Sequence, residues 1–95
     1  MNKVDDDFFN RADEHIHLSN EQMSKVSMGK VSSSMLYSVA RFNAYVSASE
    51  WNSVEEMKKA RQKTIDFFVT EYEKMLTENL DDYINHFDKY KNLHG

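Results

Sequence analysis

The sequence predicts an all-α protein: a small helical bundle of three main helices, with a long or broken third helix that gives a fourth C-terminal helical segment. The 95 residues include two glycines, no proline and no cysteine, so the chain has few of the residues that end strands and form turns, and it cannot form a disulfide. Apolar residues recur at steps of three and four over long stretches, which is the helical period. We expect residues 1–95 to form a single domain.

The first helix is predicted over about residues 5–27. Asp5 and the two acids after it favour the positive N-terminal end of a helix. The apolar stripe that follows consists of Phe9, Ala12, Ile16, Ser19, Met23 and Val26. Gly29 is predicted to end this helix, since glycine commonly follows the last helical turn.

The second helix is predicted over about residues 33–49, with Ser32 as its N-cap. With about 100° between successive residues, its side chains form two apolar faces. The first face holds Met35, Val39, Phe42 and Val46, and the second holds Leu36, Ala40, Asn43, Ala44 and Ser47. Two such faces predict two helical neighbours.

Arg41 is the single charged residue in the stretch SMLYSVARFNAYVSA. It lies on the remaining side of the second helix, between Tyr37 and Tyr45, and we consider three interpretations. The arginine stacks on the two tyrosines at the surface, or it belongs to an open site for a ligand or partner. In the remaining interpretation it pairs, within one chain or between chains, with an acid of the C-terminal segment: Asp81, Asp82 or Asp88.

The third helix is predicted over about residues 54–78, with Ser53 and Glu56 as a capping box at its start. Its apolar stripe continues almost to the C-terminus: Val54, Ile65, Phe68, Val69, Tyr72, Leu76, Leu80, Tyr83, Phe87 and Tyr90. This stripe is longer than either earlier helix can cover, so something else must cover the remainder.

Two solutions are open for the end of this stripe. A break at Asn79 would let a fourth helical segment, about residues 80–91, fold back. Alternatively, an unbroken helix packs its overhang on a second chain and forms a homodimer. We call the side of the second helix that holds Tyr37, Arg41 and Tyr45 the arginine face. The residues predicted to take part in interaction are those of this face and of the C-terminal tail: Tyr37, Arg41, Tyr45, Leu80, Asp81, Asp82, Tyr83 and Phe87.

The charge of the chain argues against some partners. The formal net charge is −4, which does not favour binding to nucleic acid or to an anionic membrane surface. No stretch is long and apolar enough for a membrane span, and the N-terminal MNKVDDDFF lacks the apolar core of a signal peptide. We therefore expect a cytoplasmic protein.

A metal site is the alternative hypothesis, and it rests on four residues. Glu14 and His17 form an E-x-x-H pair, a spacing found in di-metal helical bundles, and Asp82 and His86 stand one helical turn apart. However, Glu14 and His17 lie opposite the apolar stripe of the first helix, so they are predicted to face solvent. The sequence predicts no metal, no cofactor and no catalytic residue.

Three stretches, FFNRADEHIHLSNEQ, GKVSSSMLYSVARFNAYVSAS and MLTENLDDYINHFDKY, resemble a family of short bacterial proteins known as domain of unknown function family 3144. The resemblance covers about residues 7–90. It implies a compact helical bacterial protein, but no activity, substrate or cofactor. Our leading prediction is therefore a non-enzymatic module for protein–protein interaction or self-association, most simply a homodimer.

Overall fold

The structure is a computed structural model that describes the backbone of residues 5–94 and the side chains of residues 5–91. Within this range the chain is helical and contains no strand, which confirms the all-α prediction. The helices are α1 (Phe8–Gln22), α2 (Met28–Ser49), α3 (Val54–Asn85) and α4 (Phe87–His94). The chain divides into two units, of which the first ends at Val46 and the second begins at Ser47. We describe each unit by itself, and the single domain over residues 1–95 stays a prediction.

Helix α1 is shorter than predicted at both ends. Asp5 lies before the helix, where both of its carboxylate oxygens accept hydrogen bonds from Arg11, at 2.9 Å from Nη1 and 2.8 Å from Nη2. At the other end α1 stops at Gln22 instead of near residue 27. The Ser24 hydroxyl donates to the Glu21 carbonyl at 2.7 Å. Such a bond offers the backbone an alternative to further helical turns.

Helix α2 begins at Met28, so the predicted N-cap at Ser32 and the predicted helix end at Gly29 are both wrong. The earlier serine, Ser27, takes the capping role, because its Oγ accepts a hydrogen bond from the Lys30 N–H at 3.4 Å. Gly29 lies in the first turn of α2 and has no positive φ angle. It is an ordinary helical residue here and not a terminator.

Within the first unit, a contact between Ser19 and Met35 joins α1 to α2, and both residues belong to apolar faces that the periodicity predicted. The Ser19 hydroxyl of α1 donates to the Met35 sulfur of α2 at 3.4 Å. Val31, one turn before Met35, retains 4% of its accessible surface and is the one buried apolar side chain among the described residues. The packed part of this unit is therefore small.

Helix α3 has the predicted start and a different end. The Glu56 N–H donates to the Ser53 Oγ at 3.2 Å, which confirms the N-cap, while the Glu56 carboxylate accepts from the Asn52 N–H at 2.9 Å. Of the two solutions that the sequence left open, the break at Asn79 is wrong, because α3 continues to Asn85. The Asn79 amide donates to the Met75 carbonyl within the same helix at 2.8 Å, so its side chain caps no new helix. The fourth helix begins at Phe87 and not near residue 80.

Candidate interaction surface on helix 3

The apolar stripe of α3 is exposed. We define the α3 stripe as Ile65, Val69, Tyr72, Leu76, Leu80 and Tyr83, which all lie on one side of the helix. Val69 retains 61% of its accessible surface and Leu80 retains 52%. At about 1.5 Å per residue, the stripe is ~27 Å long. This is a long apolar surface for a small folded chain to leave in water.

The half-buried side chains of α3 lie on a different side of the helix from the α3 stripe. The half-buried side chains of this helix are Ala60, Thr64, Phe68 and Glu71. On a helical projection their mean direction lies roughly 120° from that of the α3 stripe. The Thr64 hydroxyl donates to the Ala60 carbonyl at 3.0 Å, so its polar group is satisfied within the helix. The less accessible side chains of α3 are thus mainly small or polar, whereas those of the α3 stripe are exposed.

Charge is distributed unevenly along α3. The segment 58–63 contains Lys58, Lys59, Arg61 and Lys63 and no acid, whereas the segment 71–82 contains Glu71, Glu73, Glu78, Asp81 and Asp82 against Lys74. The ion pairs on the helix are short-range, with Lys58 at 3.9 Å from Glu55 and Lys74 at 3.3 Å from the half-buried Glu71. Most of these charges are therefore available to a partner.

A hydrogen-bonded cluster joins the end of α3 to α4. Tyr90 of α4 donates its hydroxyl to Oδ2 of Asp82 at 2.7 Å. The His86 Nδ1 lies 3.0 Å from the Asp82 carbonyl oxygen and 3.2 Å from its Oδ1. The rings of Tyr83 and Tyr90 stand with their centroids 4.3 Å apart. These contacts fix the direction in which α4 leaves α3.

Asp82 also changes the titration of its tyrosine partner. The hydrogen bond from Tyr90 to the carboxylate raises the pKa of the Tyr90 hydroxyl, and partial burial and the negative charge of Asp82 act in the same direction. The phenol therefore stays neutral and keeps donating. Sequence reasoning missed this contact, because the two residues stand eight apart across a helix break that the sequence did not reveal.

The arginine face of α2 carries an unpaired charge. Tyr37 is 68% exposed, and Tyr45 is also exposed, with its ring centroid 6.1 Å from that of Phe42. Arg41 makes no hydrogen bond, ion pair or ring contact with any residue that the structure describes. The stacked arrangement on the two tyrosines is therefore absent from the described residues, and the open-site interpretation stays a prediction.

The residues of the metal hypothesis are brought together only in part. Asp82 and His86 are neighbours through the contact at 3.2 Å. Glu14 and His17 lie on α1 of the first unit, and both are exposed. Across the described residues, no three histidine or acidic side chains form a group that could hold a metal ion. Nor is any helix in that range both long enough and apolar enough to cross a bilayer.

Comparison with known proteins places this helical chain in a family. The sequence matches the family described as "Protein of unknown function (DUF3144)" over residues 8–84, and the chain belongs to that family. A solved structure, the NMR structure of the protein NB7890A from Shewanella sp., has 32% sequence identity and a TM-score of 0.78, with 97% of this chain and 98% of that chain covered. No curated protein matches the sequence.

Proposed function

We propose that the protein is a non-enzymatic self-association module of a bacterial cytosol, and that it forms a homodimer through the α3 stripe. The observation that carries this proposal is the exposure of the stripe on a helix whose half-buried side points elsewhere. Buried apolar surface contributes about 25 cal/mol per Å² in area bookkeeping. A partner that covers the stripe therefore gains a substantial stabilisation.

The α3 stripe itself supports a second copy as the partner. An identical chain carries the same apolar surface, about 27 Å long, so two copies can cover both stripes at once, as an interface with twofold symmetry requires.

Other parts of the proposal rest on separate support. The Shewanella relative supports a bacterial setting, while the cytosolic location remains a prediction from the sequence.

We do not propose nucleic acid as a partner, because the chain carries a net charge of −4 and electrostatic attraction to phosphates is the main source of such binding. The face of Tyr37, Arg41 and Tyr45 is proposed as a second contact surface, since its guanidinium is unpaired within the described residues.

The test is solution mass by light scattering after size-exclusion chromatography over a wide range of protein concentration. We expect the mass of a dimer, with dissociation at the lowest concentrations if the affinity is moderate. A monomer at every concentration would remove self-association from the proposal. The measurement requires no assumption about which residues form the interface.

A matched pair of variants then tests the surface. Leu76→Asp places a charge in the centre of the α3 stripe, and Thr77→Asp places the same charge on the next residue, roughly 100° around the helix. Burying a leucine contributes about 1.5–3 kcal/mol, and a twofold dimer loses this contribution twice. We expect Leu76→Asp to produce a monomer and Thr77→Asp to remain a dimer.

Light scattering also tests which surface forms the interface, the α3 stripe or the arginine face of α2. Arg41→Ala is expected to weaken association by less than tenfold if the arginine face lies at the edge of the interface. If Leu76→Asp remains dimeric while Arg41→Ala becomes monomeric, the interface lies on α2 and the α3 stripe is not its centre.

A further inference from the structure

We infer that the side chains of Asp82 and Tyr90 form a latch that holds the interruption between α3 and α4, and that release of the latch joins the two helices into one. The latch is the hydrogen bond from the Tyr90 hydroxyl to Oδ2 of Asp82, at 2.7 Å. The inference goes beyond the proposed homodimer, because it concerns two conformations of a single chain. Three observations lead to it: the residues around the interruption, the distances across it, and the length of α4.

Proline and glycine do not explain the interruption at His86, because residues 82–90 contain neither. His86 nevertheless has φ −123° and ψ 30°, whereas α-helical residues have about −63° and about −42°. Helix kinks that lack proline and glycine commonly arise where a side chain enters the hydrogen-bond ladder. The His86 Nδ1 lies 3.0 Å from the Asp82 carbonyl oxygen, which also accepts the His86 N–H at 3.1 Å. We therefore assign the interruption to side chains.

The contacts across the interruption belong to the bent chain and not to a continuous helix. Tyr83 and Tyr90 are separated by seven positions in the sequence, which is about 10 Å along a helix axis. Since helical side chains lean in the same direction, towards the N-terminus, the two rings of a continuous helix would keep roughly that separation. Their centroids are instead 4.3 Å apart. The oxygens of Asp82 and Tyr90 are likewise 2.7 Å apart, although their positions on a continuous helix differ by about 12 Å. Both contacts are therefore lost when the helix straightens.

Helix α4 is too short to be stable by itself. It spans Phe87–His94, which is 8 residues, whereas isolated helices below about 12–15 residues are marginal in water. The reason is that starting a helix costs more free energy than extending one. As a continuation of α3, the same residues would need no new start. A chain without the latch therefore favours the continuous helix.

The latch also determines where the α3 stripe ends. On a continuous helix Phe87 would follow Tyr83 at a step of four, and Tyr90 would follow Phe87 at a step of three, so both would extend the stripe. In the latched chain the Tyr90 ring packs against Tyr83 instead. The consequence for association rests on the proposed function, whereas the latch itself does not.

NMR spectroscopy of the isotopically labelled full chain tests the inference at the backbone. The readouts are the Cα chemical shift of His86 and the NOEs from Hα of residue i to the amide of residue i+3 that span it. In the unmodified chain we expect a non-helical shift at His86 between helical shifts on either side. Asp82→Ala removes the latch and the carboxylate contact with the His86 ring. In this variant we expect a helical shift at His86, NOEs across it, and an increase of about fivefold or more in the population of the continuous helix.

Matched variants control the experiment. Asp81→Ala removes the neighbouring acid and adds the same helix-favouring alanine, but it leaves the latch intact. Tyr90→Phe removes only the hydroxyl of the latch. Tyr83→Phe removes a hydroxyl that has no hydrogen-bond partner among the described residues and keeps the ring contact. We expect Tyr90→Phe to shift the His86 signal in the same direction as Asp82→Ala, and the Asp81 and Tyr83 variants to leave it unchanged.

Each contrary result overturns the inference for a different reason. A non-helical His86 in Asp82→Ala would show that the interruption has another cause. Loss of helical shifts over residues 87–91 in that variant would show that α4 unfolds instead of joining α3. An equal response of Asp81→Ala would assign the change to helix propensity and not to the latch.

Failure of this inference is distinguishable from failure of the proposed function. If light scattering gives a monomer while His86 responds as expected, the latch stands and self-association is wrong. If the chain is a dimer and His86 does not respond to Asp82→Ala, the homodimer stands and only the latch is wrong.

Discussion

At the scale of single residues, Asp5 and Arg11 form the most clearly defined ion pair in the described chain. The guanidinium contributes two hydrogen bonds, at 2.9 and 2.8 Å, to the two oxygens of the carboxylate. The hydrogen bonds from Arg11 are the main cause that lowers the pKa of Asp5 from 3.8 to about 2. The pair is exposed to solvent, so its effect is expected in titration more than in overall stability.

We predict that Asp5 stays ionised in the folded protein down to about pH 2. A carboxyl whose pKa is lower in the folded than in the unfolded state stabilises the fold above its unfolded pKa, and this contribution is lost as the pH falls from about 4 through about 2. The measurement is an NMR titration of the Asp5 side-chain carboxyl. In the variant Arg11→Gln the pKa should return towards 3.8, and an unchanged titration there would contradict the assigned cause.

The serines between α1 and α2 and at the start of α2 show why these helix boundaries could not be predicted from the sequence. Ser24, Ser27 and Ser32 are all competent to bond with nearby backbone groups, and their order in the sequence does not reveal which of them caps a helix. The structure assigns the cap to Ser27. Asn79 presented the same ambiguity, and its amide bonds within α3 at 2.8 Å instead of starting a helix. Ser53 was predictable because its partner, Glu56, stood at the spacing of a capping box.

At the scale of helices, Gly29 provides a test of the revised start of α2. A Cβ added at this position would meet no atom within 4 Å, and the residue has an ordinary negative φ angle. Glycine in a helix is less favourable than alanine by roughly 0.5–1 kcal/mol, because it loses more backbone freedom on folding. We therefore predict that Gly29→Ala raises the free energy of unfolding by roughly 0.5–1 kcal/mol.

Denaturant unfolding followed by circular dichroism measures this change. Had Gly29 ended a helix in the left-handed conformation, as the sequence first indicated, alanine would destabilise the protein instead. The sign of the change in unfolding free energy, whatever its size, therefore tells whether Gly29 lies inside α2 or ends the preceding helix.

The helices also show how much of the candidate site the sequence could predict. The α3 stripe followed from a repeat of three and four residues, and its members do lie on one side of one continuous helix. The contact between Asp82 and Tyr90 did not follow, because it crosses the interruption at His86, where φ is −123° and ψ is 30°. The periodicity of apolar residues predicts which side chains share a face of a helix. It does not predict the interruption at His86, where the side chains of Asp82, His86 and Tyr90 contact one another.

At the scale of the whole molecule, the residues that the structure describes bury little apolar surface. Val31 is the one buried apolar side chain among the described residues, whereas small domains normally depend on a shared hydrophobic core. If the α3 stripe becomes covered only on association, folding and dimer formation are coupled. Stability then depends on protein concentration, because dissociation accompanies unfolding.

We predict that the thermal midpoint of the unmodified chain rises by about 3–4 °C for each tenfold increase in protein concentration, given typical unfolding entropies for a dimer of this size. Scanning calorimetry at several concentrations measures it. The Leu76→Asp variant, which lacks the apolar contact in the centre of the stripe, should show no cooperative transition at concentrations where the unmodified chain is folded, because the monomer has no stable fold when folding and association are coupled. Thr77→Asp should retain the dependence. A midpoint that is the same at every concentration for the unmodified chain would mean that a single copy supplies its own stability, and the α3 stripe would then be exposed in the folded monomer.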